Sequence, residues 1–324
     1  MSGNGKSDGN APRAVKERAR LVDEELDRYM PLGEMSIHEA AEHLLTAGGK
    51  RLRPALLLLV AESLGRPPEE TLPPALSIEI THSFTLIHDD VMDDDPLRRG
   101  ETSVHEKWDV PTAILTGDYL YSKAFEIALE TDAPEPMLNR VMEILSATCT
   151  RICEGQALDI ELSNAETVSE EEYIRMIELK TGVLFAAATG IGALVAGSDA
   201  YDEAYDYGLK IGKAFQIQDD VLDLVAESDD LGKTRASDLF EGKNTLVTIH
   251  ARRNGVNPHL SKEATEEEIE AKVEEIHDAG SIDYARERAE TLVKEGKDDL
   301  NALPESEARD ALEDLADYLV RRTY

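Results

Sequence analysis

The chain has 324 residues, 41% of them hydrophobic and only 5% aromatic, which supports a packed core and excludes a disordered chain. Its 67 acidic against 34 basic residues leave a formal net charge of −33, spread along the sequence rather than gathered in one tail. Such a surface repels phosphate backbones and anionic membranes, so nucleic acid is excluded as a partner, and a salt-rich, halophilic cytoplasm is the expected setting.

Residues 1–13 are polar, with no apolar stretch of the kind a signal peptide or anchor needs, and are expected to form a disordered tail. From there on, apolar residues recur three or four apart, which predicts one all-α domain over 14–324. Caps and breakers predict helices near 14–30, 36–47, 52–64, 72–93, 111–131, 136–163, 169–197, 200–226, 238–253, 264–279, 281–297 and 305–321. No run alternates convincingly with period two. The connecting segments are short and rich in Gly, Pro and Asn, and none resembles an interdomain linker. The longest apolar stretches, Ala55–Ala61 and Gly182–Gly197, fall short of the roughly 20 residues a spanning helix needs, so a cytoplasmic protein without stable membrane insertion is expected. Cys149 and Cys153 lie one helical turn apart, cannot by themselves close a four-ligand metal site, and read as small buried residues.

An aspartate motif occurs twice, as Asp89-Asp90-Val91-Met92-Asp93 and as Asp219-Asp220-Val221-Leu222-Asp223, each late in a long apolar helix. First and last carboxylates four apart project from one helix face, an arrangement of like charges that is unfavourable unless a cation lies between them. Hard divalent ions such as magnesium accept a few carboxylate oxygens and keep other positions for water and phosphate. Two such motifs could therefore clamp a diphosphate through metal ions. The scarce basic residues fall where an anion would be held. Gly48-Gly49-Lys50-Arg51-Leu52-Arg53-Pro54 places three cations at a helix start, and Arg98-Arg99-Gly100 follows the first aspartate motif.

Together with Gly155-Gln156-Ala157-Leu158-Asp159, Lys180-Thr181 and Phe215-Gln216-Ile217-Gln218 before the second motif, these segments resemble, in order over about residues 35–250, the trans-isoprenyl diphosphate synthases. The resemblance implies an all-α helical bundle of the isoprenoid synthase type with a central active-site cavity, a homodimer, and magnesium, three ions per active site. It implies the head-to-tail condensation of isopentenyl diphosphate with an allylic diphosphate. By position, Asp89, Asp93 and Asp219 would hold the metal, supported by Asp90, Asp159, Asp220 and Asp223. Lys50, Arg53, His82 and Arg99 would bind isopentenyl diphosphate, whereas Arg98, Lys180, Thr181, Gln216, Lys233 and Lys243 would contact the allylic diphosphate. Arg321 and Arg322 stand where the family has a basic tail.

In the reaction so implied, metals and cations draw charge onto the allylic diphosphate until its carbon–oxygen bond breaks, and isopentenyl diphosphate attacks the resulting cation. Product length then depends on the helix leading to Asp89. Thr85, four residues earlier, shares the face of Asp89, whereas Phe84 is rotated by about 140° and lies roughly 7.5 Å back along the axis. Geometry alone selects Thr85, but a bulky residue at Phe84 beside a smaller one at Thr85 resembles the archaeal geranylgeranyl diphosphate synthases and implies a C20 product. Farnesyl or farnesylgeranyl diphosphate are the neighbouring products. A terpene cyclase would pair the first motif with an Asn/Ser/Glu motif, and a non-catalytic cation-binding subunit would have lost an aspartate motif or a phosphate-binding cation.

Overall fold

The computed structural model describes residues 11–226, 235–261 and 263–321. Among these residues ten α-helices come first: α1 (Arg13–Tyr29), α2 (Ser36–Thr46), α3 (Leu52–Ser63), α4 (Leu72–Asp93), α5 (Val104–Lys107), α6 (Val110–Ala128), α7 (Glu135–Ser163), α8 (Glu170–Ile177), α9 (Val183–Val195) and α10 (Tyr201–Val225). They are followed by α11 (Ser237–Glu241), α12 (Leu246–Arg253), α13 (Glu266–Asp278), α14 (Ser281–Asp299) and α15 (Glu307–Arg321). The fold is all-α, as the periodicity of the sequence predicts. Its β-structure, among the described residues, is one hairpin of β1 (Leu97–Arg98) and β2 (Glu101–Thr102). Two compact units can be distinguished, with boundaries that fall inside helices rather than in linkers. The first takes the described residues up to Cys149 with Ala187–Tyr205 and Leu300–Leu315, and the second takes Thr150–Ala186, the described part of Asp206–Asp299 and the chain from Ala316.

In the first unit, α3 is apolar around its whole circumference and is therefore a core helix, with Ala55 through Ala61 fully buried. Helix α4 opens on Pro73 and Pro74, where a missing N–H costs nothing, and packs along α6 as well as against α1 and α3. It ends at Asp94, which adopts the left-handed conformation and caps the helix through an N–H bond to the Asp90 carbonyl. The hairpin follows at once. Arg99 and Gly100 both have positive φ, 56° and 79°, the combination that a tight two-residue hairpin turn requires. Strands of two residues leave no alternating pattern, so this hairpin was invisible to periodicity.

In the second unit, the predicted helix 169–197 is interrupted by a π turn, Glu178–Gly182, between α8 and α9. Such a turn inserts a residue into the helical ladder and re-aims the side chains on it, here Lys180 and Thr181. The stretch Glu170–Val195 is long and apolar enough to cross a bilayer by composition, which the sequence runs did not suggest, and 83% of its apolar window is buried inside the protein. The predicted helix 238–253 is two helices. Gly242, with φ of 70°, ends α11, and the Thr245 hydroxyl caps α12 by accepting from the Thr248 N–H at 3.3 Å. Of the two cysteines, Cys149 is buried as expected, but Cys153 is exposed, because it points away from the packed side of α7.

The π turn and α7 approach one another backbone to backbone. A Cβ added at Gly155 would lie 2.3 Å from the Lys180 nitrogen and 2.7 Å from the Leu179 carbonyl carbon, so only glycine fits. Gly155→Ala should force the two segments apart at a cost of about 1–3 kcal/mol. A lowered thermal midpoint, measured by circular dichroism, with activity falling alongside it, is the expected outcome; an unchanged midpoint would show that the contact is not tight.

Candidate active site

The first unit gathers the cationic half of the predicted site. Arg51, at the start of α3, turns inward, donating to Asp23 at 2.8 Å, to Glu79 at 2.6 Å and to the Leu45 carbonyl at 2.7 Å. It is a structural cation holding the Gly48–Pro54 turn to α4, and its neighbours Lys50 and Arg53 are half-buried beside it. Arg99 reaches back from the hairpin to hydrogen-bond the Gly48 carbonyl. Its guanidinium lies 2.8 Å from where a Cβ on Gly49 would be, and Gly48 and Gly49 both have positive φ, 86° and 150°, which favours the paired glycines. Four arginines, Arg53, Arg99, Arg98 and Arg51, act on His82, and burial together with their charge holds its pKa well below the ordinary histidine value. The imidazole is therefore neutral. Arg99 itself is pushed down from its ordinary value, first by burial and then, against the pull of Glu79, by Arg51 and Arg98. Crowded like charge of this kind favours an anion.

The first aspartate motif splits by face. Asp89 is half-buried and Asp93 exposed, one helical turn apart, while Asp90 is buried and receives Arg98. The Arg98 Nε donates to Asp90 Oδ1 at 2.7 Å, and a terminal nitrogen also reaches Asp95 at 3.3 Å. Burial pushes the Asp90 carboxyl up, with Arg98 opposing it. Further back on α4, Phe84 is buried and meets Tyr121 of α6 edge to face at 5.3 Å between centroids, and the His88 ring is 6.1 Å away. The Thr85 hydroxyl is turned onto its own helix, bonding the His82 carbonyl at 2.7 Å.

The second unit holds a pocket of about 280 Å³ into which Asp219, Asp220 and Asp223 all project, with Asp159, Lys180, Thr181, Gln216 and Lys243 on its walls. Lys180 is paired with Asp159 at 2.6 Å. Thr181 donates to Gln216 at 2.9 Å, Gln216 donates to Asp220 at 2.9 Å, and the buried Tyr173 hydroxyl donates to the other Asp220 oxygen at 2.6 Å. Asp223 accepts from the Ser237 hydroxyl at 2.7 Å and from the Asp238 N–H at 3.1 Å, and so is fixed by the start of α11. Lys243 pairs with Glu241 at 2.9 Å at the pocket's edge. Burial and the charge of Asp238 push Asp220 up to about 8, against the hydrogen bonds from Tyr173 and Gln216. A cluster of oxygen donors so crowded that one must keep its proton is a fitting seat for a hard divalent cation.

Sequence reasoning did not single out Tyr173, Asp238 or Asn244, which line the same pocket. Asp238 lies nineteen residues beyond Asp219 in a chain rich in acids, and no local pattern distinguishes it. Lys233 and Arg322 lie outside the described residues, as does most of the predicted tail. Arg321 lies apart from this pocket, lining another hollow with Gln218, Leu222 and Arg286, and is 3.6 Å from Asp317.

Residues 34–281 match the family model described as polyprenyl synthetase. The chain belongs to the polyprenyl synthetase family. It is a prenyltransferase, a short-chain trans-prenyl diphosphate synthase. Among relatives, it is 50% identical to the geranylfarnesyl diphosphate synthase of Natronomonas pharaonis, over 96% of this chain and 97% of that protein. It is 46% identical to the geranylgeranyl diphosphate synthase of Methanosarcina mazei, over 96% and 97% respectively. The solved geranylgeranyl pyrophosphate synthetase of the archaeon Geoglobus acetivorans superposes with a TM-score of 0.89 at 40% identity, over 96% of this chain and 100% of the other.

The raised Asp220 gives this polyprenyl synthetase a measurable pH dependence. Because the folded pKa of about 8 lies above the ordinary aspartate value of 3.8, the folded protein keeps a proton that the unfolded chain has released anywhere between the two. That contribution to stability is present at acid pH and is lost as pH rises through 8. In chelator, Asp220→Asn should therefore gain in urea midpoint over wild type between pH 5 and pH 8. If the two midpoints move in parallel, Asp220 is ionised throughout.

Proposed function

We propose that the enzyme condenses isopentenyl diphosphate with an allylic diphosphate, with magnesium, to give geranylgeranyl diphosphate. The observation that carries this reading is the pairing of chemistries: a carboxylate cluster that needs cations, in one unit, and an arginine cluster that needs an anion, in the other. Asp89, Asp93 and Asp219 would hold the metal, three ions in all, with Asp90, Asp159, Asp220 and Asp223 in support. When bound, magnesium would neutralise the allylic diphosphate so that its carbon–oxygen bond can break. Lys180, Gln216, Thr181, Lys243 and Lys233 would hold that diphosphate as it leaves, and Arg98 would turn to it from Asp90.

Lys50, Arg53 and Arg99 would bind the diphosphate of isopentenyl diphosphate. The neutral His82 would add a hydrogen bond without adding charge. The double bond so positioned attacks the allylic cation, and the proton then lost passes to the released diphosphate, so no protein nucleophile is needed.

Phe84 and Tyr121, ring edge against ring face, would form the floor that stops the growing chain at C20. The names of the relatives divide between C20 and C25, and a C25 product is the second reading. Val110, Ile114 and Tyr121, exposed on one face of α6, are the residues on which we expect a second copy to pack, making the enzyme a homodimer that also covers Tyr121.

Incubation of the purified protein with isopentenyl diphosphate, magnesium and each of the C5, C10 and C15 allylic partners tests the reading. Accumulation of the C20 diphosphate is expected; a cyclic hydrocarbon would overturn it, and a C25 product would select the second reading. Asp89→Ala and Asp219→Ala should each lower turnover on the order of 100-fold or more with the helical signal retained. Near-normal turnover in either would remove that motif from the reaction. Phe84→Ala should lengthen the product, and an unchanged product would move the floor deeper, towards Ser77 and Ile78.

A further inference from the structure

The hairpin that carries Arg98 and Arg99 is bracketed by three donors that the reaction does not use. Asp94 caps α4 on one side, and His105 and Glu106 lie on α5 on the other. The His105 Nε2 is 4.0 Å from an Asp94 carboxylate oxygen and 3.8 Å from a Glu106 carboxylate oxygen, and one ligand atom from each of the three falls within 4.8 Å of the others.

Proximity of acids is common in so acidic a chain and by itself means little. His105 is different. Its side chain is only 4% exposed, yet neither ring nitrogen has a hydrogen-bond partner. A buried imidazole left so is costly, by about 1–3 kcal/mol for each unmet polar group, and Nε2 is directed at the two carboxylates. The separations are too long for hydrogen bonds but close to what a shared ion demands. With ligand distances of about 2.0–2.2 Å and tetrahedral angles, donor atoms lie roughly 3.4 Å apart, so the two His105 contacts, at 4.0 and 3.8 Å, need contract by only about half an ångström, and the exposed Asp94 and Glu106 carboxylates, on side chains free to turn, would close the remainder.

We propose that Asp94, His105 and Glu106 form a second metal site, specific for a divalent first-row transition ion such as zinc or manganese and separate from the magnesium-binding aspartates. The imidazole selects against magnesium, which prefers oxygen alone, while the two carboxylates supply the charge; water completes the coordination. The ion would tie the end of α4 to α5 and so fix both ends of the hairpin, holding Arg98 and Arg99 in place. It acts as a positioning element, touching no substrate. The inference stands on these three residues and does not depend on the product or on the magnesium ligands proposed above.

Cobalt, whose visible absorption reports coordination by an imidazole, is the probe. Titrated into the full chain in millimolar magnesium, it should bind at one ion per chain and raise the thermal midpoint. Asp94→Asn and His105→Asn should each weaken it roughly tenfold or more. Asp89→Ala and Asp219→Ala should leave it intact. Should His105→Asn fail to fold, Asp94→Asn and Glu106→Gln, on side chains 96% and 51% exposed, carry the test without disturbing the core. No saturable absorption in the wild type, absorption unchanged in Asp94→Asn and Glu106→Gln, or its loss in Asp89→Ala would each overturn the site. In the last case the ion would belong to the aspartates of the two motifs, and in the first His105 would be no more than a buried histidine between two acids.

Discussion

Around Asp220, burial and the neighbouring charge of Asp238 and Asp219 oppose ionisation, while hydrogen bonds from Tyr173 and Gln216 favour it, and opposition wins. That balance governs the second unit. The carboxylates are held together by helix packing, by Ser237 and the Asp238 amide on Asp223, and by the glycine contact that brings the π turn against α7. None of these restraints relieves the repulsion, which only a proton or a cation can do. A protein of net charge −33 has no shortage of carboxylates; what is unusual is that these are buried and still mutually repelling.

The first unit solves the converse problem. The fold treats its arginines differently according to their partners. Arg51 is neutralised by Glu79 and Asp23 and serves the structure, whereas Arg99 has a carbonyl for a partner and two arginines for neighbours. A guanidinium so placed keeps its charge and its forked geometry available for phosphate. Burying the positive cluster also keeps His82 neutral, so the imidazole is a hydrogen-bonding group at any ordinary pH.

Two ion pairs, Arg98 with Asp90 and Lys180 with Asp159, join a residue expected to bind diphosphate to a residue expected to support metal. Each sets a cation against an acid, so a metal ion or phosphate that displaced one partner would have to compensate the charge of the other. Ligand charge would then replace protein charge rather than add to it, which suits a site that must bind and release a highly charged diphosphate in every cycle.

Much of this was legible beforehand. Helices of period 3.6, the two aspartate motifs and the order of the cationic turns are properties of neighbouring residues, and local spacing determines them. The all-α fold and the identity of the family followed. Tertiary structure decided the rest, because the deciding interactions join residues far apart in the chain. Nothing in the spacing of Tyr173 or Asp238 announces contact with Asp220, and Arg51 looks like Arg53 until Glu79 is found beside it. Phe84 likewise is turned away from the face of Asp89 by helix geometry, and nothing in its spacing announces the ring of Tyr121 on α6 that meets it. Periodicity records which side of a helix is buried; it carries no record of what lies against that side.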